Sequence, residues 1–157
     1  MSGSNHVKPA GSGLKLTYDP MIIGGWLETH PLGRPFYAPF DVVFSKYDVV
    51  EPDLLYVSNE RSNALTAPNV QGAPDLVIEI GSPGTRKRDE TIERNLYGRS
   101  GVSEYWFVDP DIDVIRAYRQ GGEGFSRPIE LSREAGYVLT TTLMPGLDLP
   151  LARTFRE

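Results

Sequence analysis

The feature that most constrains the fold is a strand, helix, strand pattern between Ala73 and Asp109. Ala73-Pro74-Asp75-Leu76-Val77-Ile78-Glu79-Ile80 reads as a strand, bounded by the turn Gly81-Ser82-Pro83-Gly84. Glu104-Tyr105-Trp106-Phe107-Val108-Asp109 is nearly continuous and apolar, so it belongs inside a sheet. Between them the spacing predicts a helix over roughly Asp89 to Arg99, with Ile92 and Leu96 on one side. Glu90 and Arg94 stand at a favourable i, i+4 spacing, Asp89 or Thr85 is the candidate cap, and Gly98 and Gly101 help stop the helix. Such a crossover suits two parallel neighbouring strands.

Upstream, Leu14 to Tyr18 alternates briefly and suggests an edge strand. Met21 to Thr29 has helical spacing of Ile22, Ile23, Trp26 and Leu27, weakened by Gly24-Gly25 and ended by His30-Pro31-Leu32-Gly33. Phe36 to Ser45 and Val49 to Ser58 read as strands, with Pro39 marking an edge or bulge. A short helix is expected near Arg61 to Leu65. Downstream, Val114 to Tyr118 returns as a hairpin partner, followed by strands at Phe125 to Leu131 and Tyr137 to Thr142. The fold class is therefore α/β or mixed α+β: a mixed sheet with an antiparallel meander, a crossover helix and further C-terminal strands.

At 157 residues one domain is the default, long enough to bury a core. Residues 1–13 are polar and rich in Gly and Ser, and are expected to be disordered, with the domain over 14–157. The absence of cysteine excludes disulfides, thiolate metal sites and cysteine nucleophiles. With only His6 and His30, a multi-histidine zinc site is not expected. No apolar run approaches a membrane span and no signal-peptide core is evident, so a cytoplasmic location is the simplest expectation. A net charge of −5 argues against a dominant basic surface. It leaves room for an enzyme acting on nucleic acid, because a divalent metal brings compensating positive charge.

Two Pro-Asp pairs each open an apolar strand, Pro52-Asp53 and Pro74-Asp75. In the second, alternation puts Asp75, Val77 and Glu79 on one face and Leu76, Ile78 and Ile80 on the other. Pro-Asp alone is ordinary turn chemistry. Glu79 is more telling, because a carboxylate inside an apolar strand needs a metal, a basic partner or solvent. If the two strands are neighbours, Asp53 approaches Glu79, and clustered carboxylates suit a hard divalent cation. The run Arg86-Lys87-Arg88 either contacts phosphate or is a solvated helix start. Ser82-Pro83-Gly84-Thr85 lacks the lysine pattern of a nucleotide P-loop, and no Ser/His/Asp arrangement is present.

These segments resemble the Uma-type endonuclease family of the PD-(D/E)XK, restriction-endonuclease-like superfamily. The resemblance rests on Ala73 to Thr85, Arg88-Asp89, Leu96-Tyr97 and Gly101 to Asp109. It extends to Ala38 to Val43 and Val50 to Leu54, covering roughly Tyr37 to Tyr118. It implies three meandering strands, a crossover helix and a fourth strand, and hydrolysis of DNA phosphodiester bonds with Mg²⁺ or Mn²⁺. It implies Asp53 as the motif aspartate, Glu79 as the second metal-binding acid and Asp75 as a nearby family residue. The superfamily lysine position, two after Glu79, is Gly81. The position from which family members supply a lysine on the crossover helix is Glu93. Lys87 or Arg94 is the candidate substitute. The stretch before the first meander strand looks shortened, leaving Glu28 as the nearby acid and an uncovered surface that a homodimer would bury. The alternative to a nuclease is a catalytically impaired relative acting as a binding or interaction module.

Overall fold

The computed structural model describes residues 17–82 and 89–156. In chain order, β1 (Thr17–Tyr18) and α1 (Met21–Thr29) precede β2 (Gly33–Tyr37), β3 (Asp41–Val43), β4 (Val49–Val50) and β5 (Leu54–Ser58). A 3₁₀ turn, Asn59–Ala64, leads to β6 (Asn69–Gln71) and β7 (Leu76–Ile80). A π-helical turn, Asp89–Glu93, runs into α2 (Arg94–Ser100). Then come β8 (Glu104–Asp109), β9 (Val114–Arg119), β10 (Ile129–Ser132), β11 (Val138–Leu139), β12 (Leu149–Pro150), a helical turn Leu151–Thr154 and β13 (Phe155–Arg156).

The main sheet has six strands in the order β10-β9-β8-β7-β5-β2. Only β7 and β8 are parallel, joined through α2, as the crossover pattern predicts. The other neighbours are antiparallel. Strand β8 is buried along its whole length, which is why its sequence lacks polar alternation. Small pairs, β1 with β13 and β11 with β12, and a three-stranded sheet β4-β3-β6 complete the structure.

The sheet separates two apolar layers. On one side Ile23 and Leu27 of α1, with Met144, Leu149, Leu151 and Phe155, cover Leu54, Tyr56, Leu76, Ile78 and Trp106. On the other, Tyr97 of α2 packs with Val77, Tyr105, Phe107 and Tyr118. The small sheet adds Val42 and Val70 against Leu55 and Val57. The alternation expected along β7 is thus realised, with Val77 on the α2 face and Leu76, Ile78 and Ile80 on the other.

Several boundaries differ from the sequence-based expectation. Phe36 to Ser45 is two strands, because the chain turns at the cis peptide Ala38-Pro39 before β3. Val49 to Ser58 is likewise interrupted at Glu51-Pro52-Asp53, since proline has no N–H to give a ladder. This split makes Asp53 a residue of the strand approach. Strand β6 was not expected, and the strand over Phe125 to Leu131 begins only at Ile129. The expected helix starts as a π turn, whose wider spacing turns Ile92 outward to 67% exposure. Glu90 pairs with Arg116 at 2.9 Å, and Glu90 and Arg94 meet at the Tyr118 hydroxyl, each 3.4 Å from it. Gly101, at φ 96°, closes α2 in the left-handed conformation that glycine accepts at little cost. Leu14 to Leu16 and Thr85 lie outside the described residues.

Candidate active site

The antiparallel register of β5 and β7 pairs Leu54 with Ile78, so the next position brings Asp53 beside Glu79. Their contacts are reciprocal. The Asp53 main-chain N–H donates to Oε1 of Glu79 at 3.3 Å, and the Ile80 N–H donates to Oδ2 of Asp53 at 2.7 Å. Each strand thus fixes the other's carboxylate. The hydroxyl of Tyr97, on α2, donates to Oε2 of Glu79 at 2.7 Å. Glu79 is only 5% exposed and Tyr97 is fully buried. Burial, then the charges of Glu79 and Glu93, hold the Tyr97 phenol well above its ordinary value, so it stays protonated as a donor. Sequence reasoning assigned Tyr97 no role. Its i, i+4 spacing from Glu93 marks them as sharing a helix face, but only the packing of α2 on β7 shows that this face meets Glu79.

Asp75 lies elsewhere. It precedes β7, four residues before Glu79, about 13 Å away along an extended strand. Its Oδ2 accepts from the Ser58 N–H at 2.6 Å, and its Oδ1 is 3.3 Å from Nε of Arg61. Arg61 also donates to the carbonyls of Ala73, Pro74 and Gly101 and to Ser103 Oγ. Asp75 and Arg61 therefore clamp the start of β7 to the start of β8. The structure brings Asp53 and Glu79 together and keeps Asp75 apart.

Glu28 is exposed on α1, which packs on the opposite face of the sheet from Glu79. His30 caps that helix, stacked on Trp26 at 3.9 Å. Lys87 lies outside the described residues. Arg94 is placed over the Tyr118 ring, 5.4 Å from its centroid. Glu93 is half-buried and its charge acts on Tyr97. At Gly81 a Cβ would meet Cζ of Phe107 at 2.5 Å. The position where the resemblance implies a lysine is thus closed by a fully buried ring.

Two adjacent carboxylates fit a small hard cation that takes one or two protein carboxylates and keeps water in its remaining positions. Among the described residues no group of three or more His, Cys, Asp or Glu is disposed to hold a metal. A pair of carboxylates suits a partly hydrated Mg²⁺ or Mn²⁺.

A family model, Uma2, described as "Putative restriction endonuclease", matches residues 21–152. This chain belongs to the Uma2 family. The match extends the resemblance seen in the sequence on both sides, taking in α1 and the C-terminal strands up to β12. A crystal structure of a "putative nuclease belonging to DUF820" from Anabaena variabilis shares the fold, with a TM-score of 0.70. It is 19% identical, and the alignment covers 85% of this chain and 73% of that one. No curated protein matches. The restriction-endonuclease-like, mixed α/β architecture of this Uma2 member is thus established. Among the described residues no helix is long and apolar enough to cross a membrane.

Proposed function

We propose that this chain is a divalent-metal-dependent endonuclease that hydrolyses DNA phosphodiester bonds, with Asp53 and Glu79 as its metal ligands. One observation carries the reading: the two carboxylates that the family pattern names are locked side by side across β5 and β7. Mg²⁺ or Mn²⁺ supplies an activated water and offsets charge developing on the phosphate. The chain's own groups hold the ligands. Tyr97 and the Asp53 N–H orient the two oxygens of Glu79, and the Ile80 N–H orients Asp53. In this reading Asp75 is a positioning residue that acts through Arg61, and Lys87 meets the phosphate as a basic group. A cytoplasmic location is part of this reading, since it gives access to DNA.

The test is Mn²⁺ titration calorimetry on the wild type and Glu79→Gln, with Mg²⁺-dependent nicking of supercoiled plasmid as the second readout. The variant should lose at least tenfold in metal affinity and lose nicking. Equal affinity in the two proteins would refute the assignment.

Glu93 favours a second reading, a catalytically impaired nuclease-fold binding module. A carboxylate stands at the helix position that otherwise supplies a lysine, and its charge reaches Tyr97. If Glu93→Lys creates Mg²⁺-dependent cleavage that the wild type lacks, this second reading holds. If the wild type already cleaves, it fails.

A further inference from the structure

Beyond the carboxylate pair, a cleft of about 350 Å³ opens between α2 and the loop joining β9 to β10. We propose that this cleft docks the phosphate backbone of a nucleic-acid strand, with Arg94, Arg99 and Arg127 as the contacting groups. The inference takes from the proposed function only that the substrate is a polynucleotide, and it does not depend on metal binding.

Arg94 and Arg99 come from α2 and Arg127 from the loop, while Glu123 is the one carboxylate in the lining. Three other arginines are committed. Arg61 is held by Asp75, Arg116 by Glu90 and Glu130, and Arg119 by Glu104. Arg99 and Arg127 are exposed, and among the described residues neither side chain has a hydrogen bond or an ion pair. Arg94 is half-buried, with its guanidinium over Tyr118 and 3.4 Å from that hydroxyl. Stacking leaves the edge of such a fork available for phosphate oxygens. A chain with net charge −5 thus lines a single concave place with three guanidiniums and one carboxylate, while Glu90, at the Tyr118 hydroxyl, is already neutralised by Arg116.

Its location suits a strand that also reaches Glu79. Helix α2 carries both Tyr97, bonded to Glu79, and the arginines of the cleft. The register runs from Glu79 to Phe107 to Arg116, and Tyr118 lies two residues further along β9. Two strand spacings across and two residues along give about 12 Å between Glu79 and Tyr118. That is about three to four nucleotides at ~3.4 Å rise each. Gly98 makes the cleft possible: a Cβ there would lie 3.3 Å from the Phe125 main-chain N, so glycine lets the loop close on the helix.

The experiment is fluorescence anisotropy of a labelled DNA duplex in EDTA, from 50 to 200 mM NaCl. The proteins are the wild type, Arg99→Gln/Arg127→Gln, and the control Arg133→Gln/Arg153→Gln with the same net charge. Neutralising two phosphate contacts should lower the log–log salt slope by about 2 and weaken binding about tenfold at low salt, with the control like wild type. An unchanged slope, an equal loss in the control, or no duplex binding by the wild type would overturn the proposal. Displacement of the duplex by millimolar inorganic phosphate at constant ionic strength would also overturn it, by assigning the cleft to a small phosphate. Mn²⁺ titration of the same double variant separates the two readings. Lost DNA binding with unchanged metal affinity is the expected result. Arginine-dependent DNA binding without any metal binding would keep the cleft and sink the nuclease.

Discussion

Tyr97→Phe tests how the buried carboxylate is tolerated. The substitution keeps the ring that packs with Val77, Tyr105 and Phe107, so it opens no cavity of consequence. It removes only the hydroxyl at 2.7 Å from Glu79 Oε2. A hydrogen bond to a charged group contributes about 1.5–3 kcal/mol, and here the carboxylate left behind is 5% exposed and cannot fully recruit water. We expect a loss in that range, read as a fall in Tm of about 3–12 °C by the usual scaling for this size of chain. The pH dependence adds a second signature. The unfolded phenol titrates near pH 10, whereas the folded Tyr97 holds its proton well above that. Its contribution is therefore fully present below about pH 10 and is lost as pH rises further, by ~1.4 kcal/mol per unit. Phenylalanine has no such dependence, so the gap between wild type and variant should narrow above pH 10. Urea unfolding from pH 7 to 11 measures both, with the half-exposed Tyr137→Phe as control. A Tyr97→Phe protein within about 0.5 kcal/mol of wild type at pH 7 would refute the role assigned to this bond.

Gly81→Lys should destabilise by about 1–3 kcal/mol, because its Cβ collides with the buried Phe107 ring, whereas Glu93→Lys should fold normally; thermal unfolding of both variants decides this. Asp75→Asn should cost about 1–3 kcal/mol by weakening its hold on Arg61, yet leave Mn²⁺ affinity within about twofold, since it lies apart from the carboxylate pair. Burial, then Asp75 and Glu60, pushes Tyr56 up to about 12, so Tyr56→Phe should flatten the loss of stability between pH 10 and 12. An unchanged pH profile would count against that burial.

Much of the architecture was legible because apolar pattern and strand length encode it directly. The run Glu104–Asp109 announced a central strand, and Met21–Thr29 a helix that ends at His30. The breaks at Pro39 and Pro52 were harder, because proline marks an interruption without saying where the chain goes next. The π turn at Asp89–Glu93 was illegible, since helical periodicity assumes the spacing that this turn abandons. Its consequence is concrete: Ile92 looks like a core residue in the sequence and is exposed in the fold.

The carboxylates themselves follow from sequence alone. A glutamate at an inward position of an apolar strand and an aspartate opening another strand are visible without coordinates. So is Glu93, at the helix position where the family resemblance implies a lysine. What tertiary structure decided is which of them meet. Register sets Asp53 beside Glu79 and sends Asp75 to Arg61, some 13 Å up the same strand. Helix packing brings in Tyr97. Spacing along a chain states the face of a strand, but its partner depends on hydrogen-bond register between segments distant in sequence, which no local pattern contains.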